Sequence, residues 1–198
     1  MTNHPLLSDA VKKKFDVFDW RNAIHILHAV HPRDFSEIIE TLEHFELKKS
    51  DIEQGGGNKS SIAKALDHEL LQKGWVERQF DTKLVVDGVS FDTPTHKVDC
   101  FKGRIALEVE WNNKDPFFDR DLNNFRLLYD LHVIDVGVIV TRSTSLEKVL
   151  RSSGRQSTTY GKATTHTDKL IPKIKGGGAG GCPVVVFGIS EGAYRDDL

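Results

Sequence analysis

The stretch Asp99-Cys100-Phe101-Lys102-Gly103-Arg104-Ile105-Ala106-Leu107-Glu108-Val109-Glu110-Trp111 carries two signals at once. Side chains of an extended strand point alternately to its two faces. Over Arg104–Trp111 this puts Ile105, Leu107, Val109 and Trp111 on one face, and Arg104, Ala106, Glu108 and Glu110 on the other. With Lys102-Gly103 as a two-residue turn, Phe101 faces Arg104 and Asp99 faces Ala106, which sets Asp99 diagonally beside Glu108. Three carboxylates packed this closely repel one another unless a positive charge lies between them. All-oxygen donors from Asp and Glu suit a hard divalent ion such as Mg²⁺ or Mn²⁺, with positions left for water and phosphate oxygens. Such an ion polarises a scissile phosphate and lowers the pKa of the attacking water, which Glu110 is placed to orient or deprotonate. The same acids also fit the solvated face of an ordinary edge hairpin, and spacing by itself leaves both readings open.

Outward from this hairpin, strands and helices alternate. Upstream, the pattern predicts a strand over 14–18, a helix over 20–30 that Asp19 caps and His31-Pro32 ends, and a helix after Asp34. Asp34 and Glu37 have capping-box spacing there, and Phe35, Ile38, Ile39, Leu42 and Phe45 fall on one face. Gly55-Gly56-Gly57 reads as a flexible break before a helix over 61–73 that Gly74 terminates. Strands are expected over 83–86, 96–101, 104–111 and 133–141, with a helix over 116–131 between the last two, opened by Asp115-Pro116. Thr144 and Glu147 mark a short helix over 145–152 that stops at Gly154. A helix over 168–174, a glycine-rich mobile connector over 176–181 and a last buried strand over 183–189 follow. The order predicts an α/β fold, a mixed central sheet flanked by helices.

The 198 residues, 38% of them hydrophobic, suit a single domain spanning 1–198. A net charge of −2 and a pI near 6.5 exclude a uniformly basic DNA coat. Cys100 and Cys182 are too few for a disulfide scaffold or a four-thiolate zinc site and read as buried thiols in a cytoplasmic protein. Neither a signal peptide nor a membrane span is visible. His25, His28 and His31 have a spacing that invites zinc, without the Cys or acid that would complete a ligand set.

Charge is unevenly spread. Between Arg142 and Lys175 there are eight basic residues against two acids, an asymmetry that can aim one face at phosphates. The alternative is a merely solvated charged face. This segment includes Lys162 and is rich in Gly and short polar side chains, among them Ser152, Ser153 and Gly154. Within it Arg155 is suited to reading guanine and Gln156 adenine.

Residues 99–110 resemble the PD-(D/E)XK nuclease motif in the form used by the BglII, BstYI and BamHI type of restriction endonuclease. The Asp99-to-Glu108 spacing matches the BglII and BstYI form. The likeness extends to the helix ending Glu69-Leu70-Leu71-Gln72-Lys73-Gly74-Trp75, to Asn112–Phe118, to Ser152-Ser153-Gly154 with Tyr160, and to the closing apolar strand. It implies a PD-(D/E)XK restriction-endonuclease-like core and a type II enzyme that hydrolyses phosphodiester bonds of double-stranded DNA at a short palindrome with a GATC-like core. It further implies Mg²⁺ as cofactor, with Mn²⁺ able to substitute and Ca²⁺ supporting binding without cleavage, and a separately encoded companion DNA methyltransferase. By the same likeness Asp99 and Glu108 bind metal, helped by the Val109 carbonyl, and Glu110 takes the place usually held by lysine. Glu69 lies on a helix whose equivalent glutamate nears the active centre in some relatives, although it is equally an ordinary exposed helix residue. Asn112, Asn113 and Lys114 become a second DNA-reading group, or else a polar loop that caps the next helix. That helix and the one after Thr144 would build a two-fold homodimer interface. A structure-selective repair or recombination nuclease and a non-catalytic DNA-binding module are the rival readings.

Overall fold

A computed structural model describes residues 4–53, 60–92, 95–152 and 163–197. The chain begins with α1 (Asp9–Lys14), where the Ser8 hydroxyl accepts from the Val11 amide, and runs directly into β1 (Phe15–Trp20). The strand therefore extends through Trp20, and the helix expected from Trp20 starts later, as α2 (Ala23–Val30). Arg21 and Asn22, both left-handed, make the corner between them. Asp19 still serves this start, its Oδ1 accepting from the Ile24 amide at 3.2 Å. Pro32 occupies the first turn of α3 (Pro32–His44), a place where its missing N–H is not needed. Asp34 and Glu37 consequently lie inside the helix and form no capping box.

The short β2 (Leu47–Lys48) and α4 (Lys49–Glu53) follow. Next comes α5 (Ser61–Gln72), capped by Ser60 and closed by left-handed Gly74. The Gly55–Gly57 run lies outside the described residues. β3 (Val76–Arg78) precedes a hairpin of β4 (Lys83–Val86) and the unanticipated β5 (Val89–Asp92), whose Asp87-Gly88 turn has positive φ at both residues, as tight hairpin turns require. β6 (Val98–Lys102), β7 (Ile105–Glu110), α6 (Pro116–Asp130) and β8 (Val136–Arg142) form the middle of the chain. Ser143, not Thr144, caps the turn ahead of α7 (Glu147–Ser152), its Oγ accepting from the Ser145 amide. α8 (Thr167–Lys175), β9 (Val184–Ile189) and β10 (Tyr194–Arg195) complete the chain. The glycine segment between α8 and β9 is a series of hydrogen-bonded turns around buried Ala179 rather than a slack connector.

The mixed sheet has the order β1-β9-β8-β7-β6-β3. β8 is parallel to β7 and β9, and the other pairings are antiparallel. This is the mixed α/β sheet flanked by helices that the alternation predicts. One face carries Ile105, Leu107, Val109, Val138, Val140 and Phe187 against α1, α2, α3 and α5, and the other carries Ala106, Ile139, Val184 and Val186 against α6 and α8. Each large apolar side chain removed from water contributes roughly 1.5–3 kcal/mol, against about 0–1 kcal/mol for an exposed ion pair. These two layers, not the surface charges, hold the sheet. Cys100 and Cys182 are buried free thiols, and burial pushes the Cys182 thiol up to about 12. No helix among the described residues is long and apolar enough to cross a membrane.

Candidate active site

The turn between β6 and β7 is Gly103-Arg104, one position later than Lys102-Gly103. Pairing runs Cys100 to Leu107, Phe101 to Ala106 and Lys102 to Ile105. Continuing that register sets Asp99 opposite Glu108 instead of diagonal to it. Arg104 consequently leaves the strand and pairs bidentately with Asp135 at 2.7 and 2.9 Å. The shift has a tertiary cause. Lys102 donates to both oxygens of Glu37 on α3, at 2.8 and 2.6 Å, and to the Lys73 carbonyl. Gly103, at φ +57, also passes so close to Asp34 that a Cβ would lie 3.1 Å from its carboxylate.

With this register the acids meet. The Asp99 amide donates to Glu108 Oε2 at 3.2 Å, and the Val109 amide donates to Asp99 Oδ2 at 3.1 Å. Because β7 is an interior strand, Glu108 and Glu110 are buried, 1% and 2% exposed, not displayed on an edge. Left-handed Asn112 turns the chain back, a conformation asparagine tolerates better than most residues. Asn113 can then donate its side-chain amide to Glu110 Oε2. The segment is sewn down further by reciprocal bonds between Asn113 and Thr165.

α6 brings two residues that strand alternation does not single out. Asp121 is fully buried, and Arg120 donates to its Oδ1 from Nε and Nη2 at 3.0 and 2.9 Å while also reaching Glu110 Oε1 at 3.2 Å. Burial, reinforced by the Asp121 charge, raises both glutamates, with Glu108 well above the ordinary carboxylate range and Glu110 at about 8. Burial likewise raises Asp121, to about 6 against the pull of Arg120. Asp99 and Glu110 border a cleft of about 340 Å³ whose other walls include Ser60, His96, Asn113 and Arg120, whereas Glu108 and Asp121 do not line it. Burial and the nearby Arg120 lower the His96 pKa, so its imidazole is neutral at pH 7.

The donor set suits a hard divalent cation. Glu108 Oε1 is buried without a hydrogen-bond partner, and a buried carboxylate oxygen left in that condition is costly unless something positive satisfies it. A family model described as restriction endonuclease BglII/BglIII matches residues 15–189, from the first residue of β1 to the last of β9. The chain belongs to the BglII/BglIII restriction endonuclease family. It is therefore a site-specific deoxyribonuclease. No curated protein gives a significant match.

The endonuclease does not bring every predicted residue to this cleft. Glu69, on the far part of α5, pairs with His44 at 3.2 Å and approaches Lys73; Ser60 and Ala63 are the residues of that end of the molecule that line the cleft. Lys114 bridges to Thr164, and of Asn112–Lys114 it is Asn113 that lines the cleft. Ser152 ends α7. Ser153, Gly154, Arg155, Gln156, Tyr160 and Lys162 lie outside the described residues.

The histidines of α2 do not gather. His31 pairs with Asp135, His28 packs on Phe35, and His25 faces His4. His4, Asp19 and His25 do bring ligand atoms within 4.8 Å of one another, a closeness the Asp99, Glu108 and Glu110 carboxylates do not reach together. However, His4 Nδ1 accepts from the Leu6 amide, which leaves the proton of its neutral ring on Nε2, 3.7 Å from Asp19. With one ring nitrogen engaged and the other protonated, His4 offers no free lone pair to a metal.

Proposed function

We propose that this endonuclease is a homodimeric, Mg²⁺-dependent type II enzyme that hydrolyses one phosphodiester bond in each strand of double-stranded DNA at a short palindromic site. The observation that carries the reading is the buried, unpartnered Oε1 of Glu108 beside Asp99, which with Glu110 lines one cleft. Asp99 and Glu108 are the direct metal donors, joined by the Val109 carbonyl beside them. A bound divalent cation supplies Lewis-acid polarisation of the phosphoryl oxygen and a more acidic water. Glu110 orients that water and takes up its proton; Asn113 holds the Glu110 carboxylate for the task. The basic segment 142–175, with Arg155 and Gln156, reads the bases, and Asn112–Lys114 is a second reading group. Mn²⁺ substitutes for Mg²⁺, Ca²⁺ supports binding only, and a separate methyltransferase protects host DNA.

Plasmid digestion tests the proposal. In Mg²⁺ the protein yields discrete fragments, whereas Glu108→Ala still shifts DNA in Ca²⁺ but lowers cleavage by a factor on the order of 10³ or more, the scale of losing charge stabilisation at a reacting phosphate. Full activity of the variant removes Glu108 from the mechanism. A smear or junction-only cutting by the parent protein favours a structure-selective nuclease.

A further inference from the structure

Arg120 sits at the cleft with its guanidinium lying 4.4 Å over the Phe117 ring and its side chain 33% exposed. Its contacts link Glu110 Oε1 to Asp121 Oδ1. Asp121 is completely buried, its Oδ2 takes no hydrogen bond from a nitrogen donor, and its carboxyl lies within hydrogen-bonding reach of Glu110. Holding an arginine does not require this. An asparagine carbonyl would accept the same hydrogen bonds without burying a second negative charge, which is expensive in a low-dielectric site. Two buried carboxyls in contact with each other and sharing one arginine match a place for more positive charge than a single guanidinium brings.

The geometry points to Glu110 and Asp121 as a second carboxylate pair beside Asp99 and Glu108, occupied by Arg120 as a resident counter-ion that a divalent cation displaces. This inference rests on the metal-centre reading above and adds to it a further donor, Asp121, and an internal competitor, Arg120. The guanidinium is already one-third exposed, so turning its last torsions frees it into the cleft. There its planar fork fits two phosphate oxygens, which couples metal uptake to the arrival of a cationic group for DNA.

The two roles have opposite signatures. Mn²⁺ is titrated into the full-length, DNA-free protein and the free ion followed by electron paramagnetic resonance, with circular dichroism melts showing that each variant is folded. Arg120→Ala removes a competitor and tightens Mn²⁺ binding about fivefold, the weight of one partly exposed ion pair; Arg120→Lys stays near the parent value. Asp121→Asn removes a donor and weakens binding about tenfold or more. Unchanged or weaker Mn²⁺ binding by Arg120→Ala, or unchanged binding by Asp121→Asn, overturns the inference. If Asp121→Asn does not fold, the direction of the Arg120→Ala effect decides alone. Asp99→Asn separates this from the underlying reading: loss of Mn²⁺ there with no effect at Arg120 or Asp121 sinks only the exchange, whereas no Mn²⁺ uptake by the parent, or none lost on Asp99→Asn, removes the metal centre and the inference together.

Discussion

Glu110 and Asp121 hold their protons more tightly in the folded chain than in the unfolded one, at about 8 against 4.5 and about 6 against 3.8. Between each pair of values the native state binds protons that the unfolded state has released, so stability is greatest at the acid end of the window and falls as pH rises through it. We expect the chelator-treated protein to lose unfolding free energy in urea from about pH 5 to about pH 8, and Glu110→Gln to flatten that slope. A parent profile that is level or rises over this range contradicts the burial of these acids. Asp99, Glu108 and Glu110 are visible in the sequence because strand alternation and a nearby turn bring close neighbours in the chain onto one face. Asp121 is overlooked by that reading, although helical spacing offers a signal: it lies three residues after Phe118 and four before Phe125, on the apolar face of α6.

At the scale of elements, the catalytic hairpin is set from outside itself. Its alternation was readable, yet the turn position depends on Lys102 finding Glu37 of α3, a contact 65 residues distant in the chain. On the opposite layer α6 lies so close to β8 that a Cβ on Gly137 would come within 2.3 Å of the Phe125 ring. Gly137→Ala is expected to cost about 1–3 kcal/mol of stability through overpacking, seen as a lower denaturant midpoint at unchanged m-value. A midpoint equal to the parent's shows that this helix can move away from the sheet, and with it Arg120 and Asp121. Helix starts were less legible than helix faces. Phe35, Ile38 and Leu42 are buried as their spacing predicts, whereas the capping-box reading of Asp34 yields to Pro32, which opens the helix earlier.

For the molecule as a whole, the basic segment is partly neutralised by its own surroundings. Lys173 pairs with Asp119 and Arg151 with Glu147, while Arg142 is buried and donates to the Thr164 hydroxyl, out of reach of a ligand. In the proposed reading, the remaining positive charge on 142–175 is what meets DNA. The apolar side of α6 is likewise consumed by the chain's own core: Phe118, Leu122, Phe125 and Leu128 are buried there, leaving Asp119, Asn123 and Arg126 outward. A dimer through this helix therefore has a polar contact surface. We expect sedimentation at low salt to give twice the 22.3 kDa chain mass and raised salt to dissociate the pair, because exposed charge contacts are screened. A protein that remains monomeric even with palindromic DNA present refutes the two-fold assembly.

Local pattern alone settled the succession of strands and helices, the apolar face of each and the spacing of three acids, because these depend on backbone periodicity and on side chains a few positions apart. Strand order, the hairpin register, the arrival of Arg120 and Asp121 and the diversion of Glu69 to His44 were settled only in three dimensions. Each follows from contacts between remote segments competing to bury apolar surface and pair charge, and no window along the chain contains both partners.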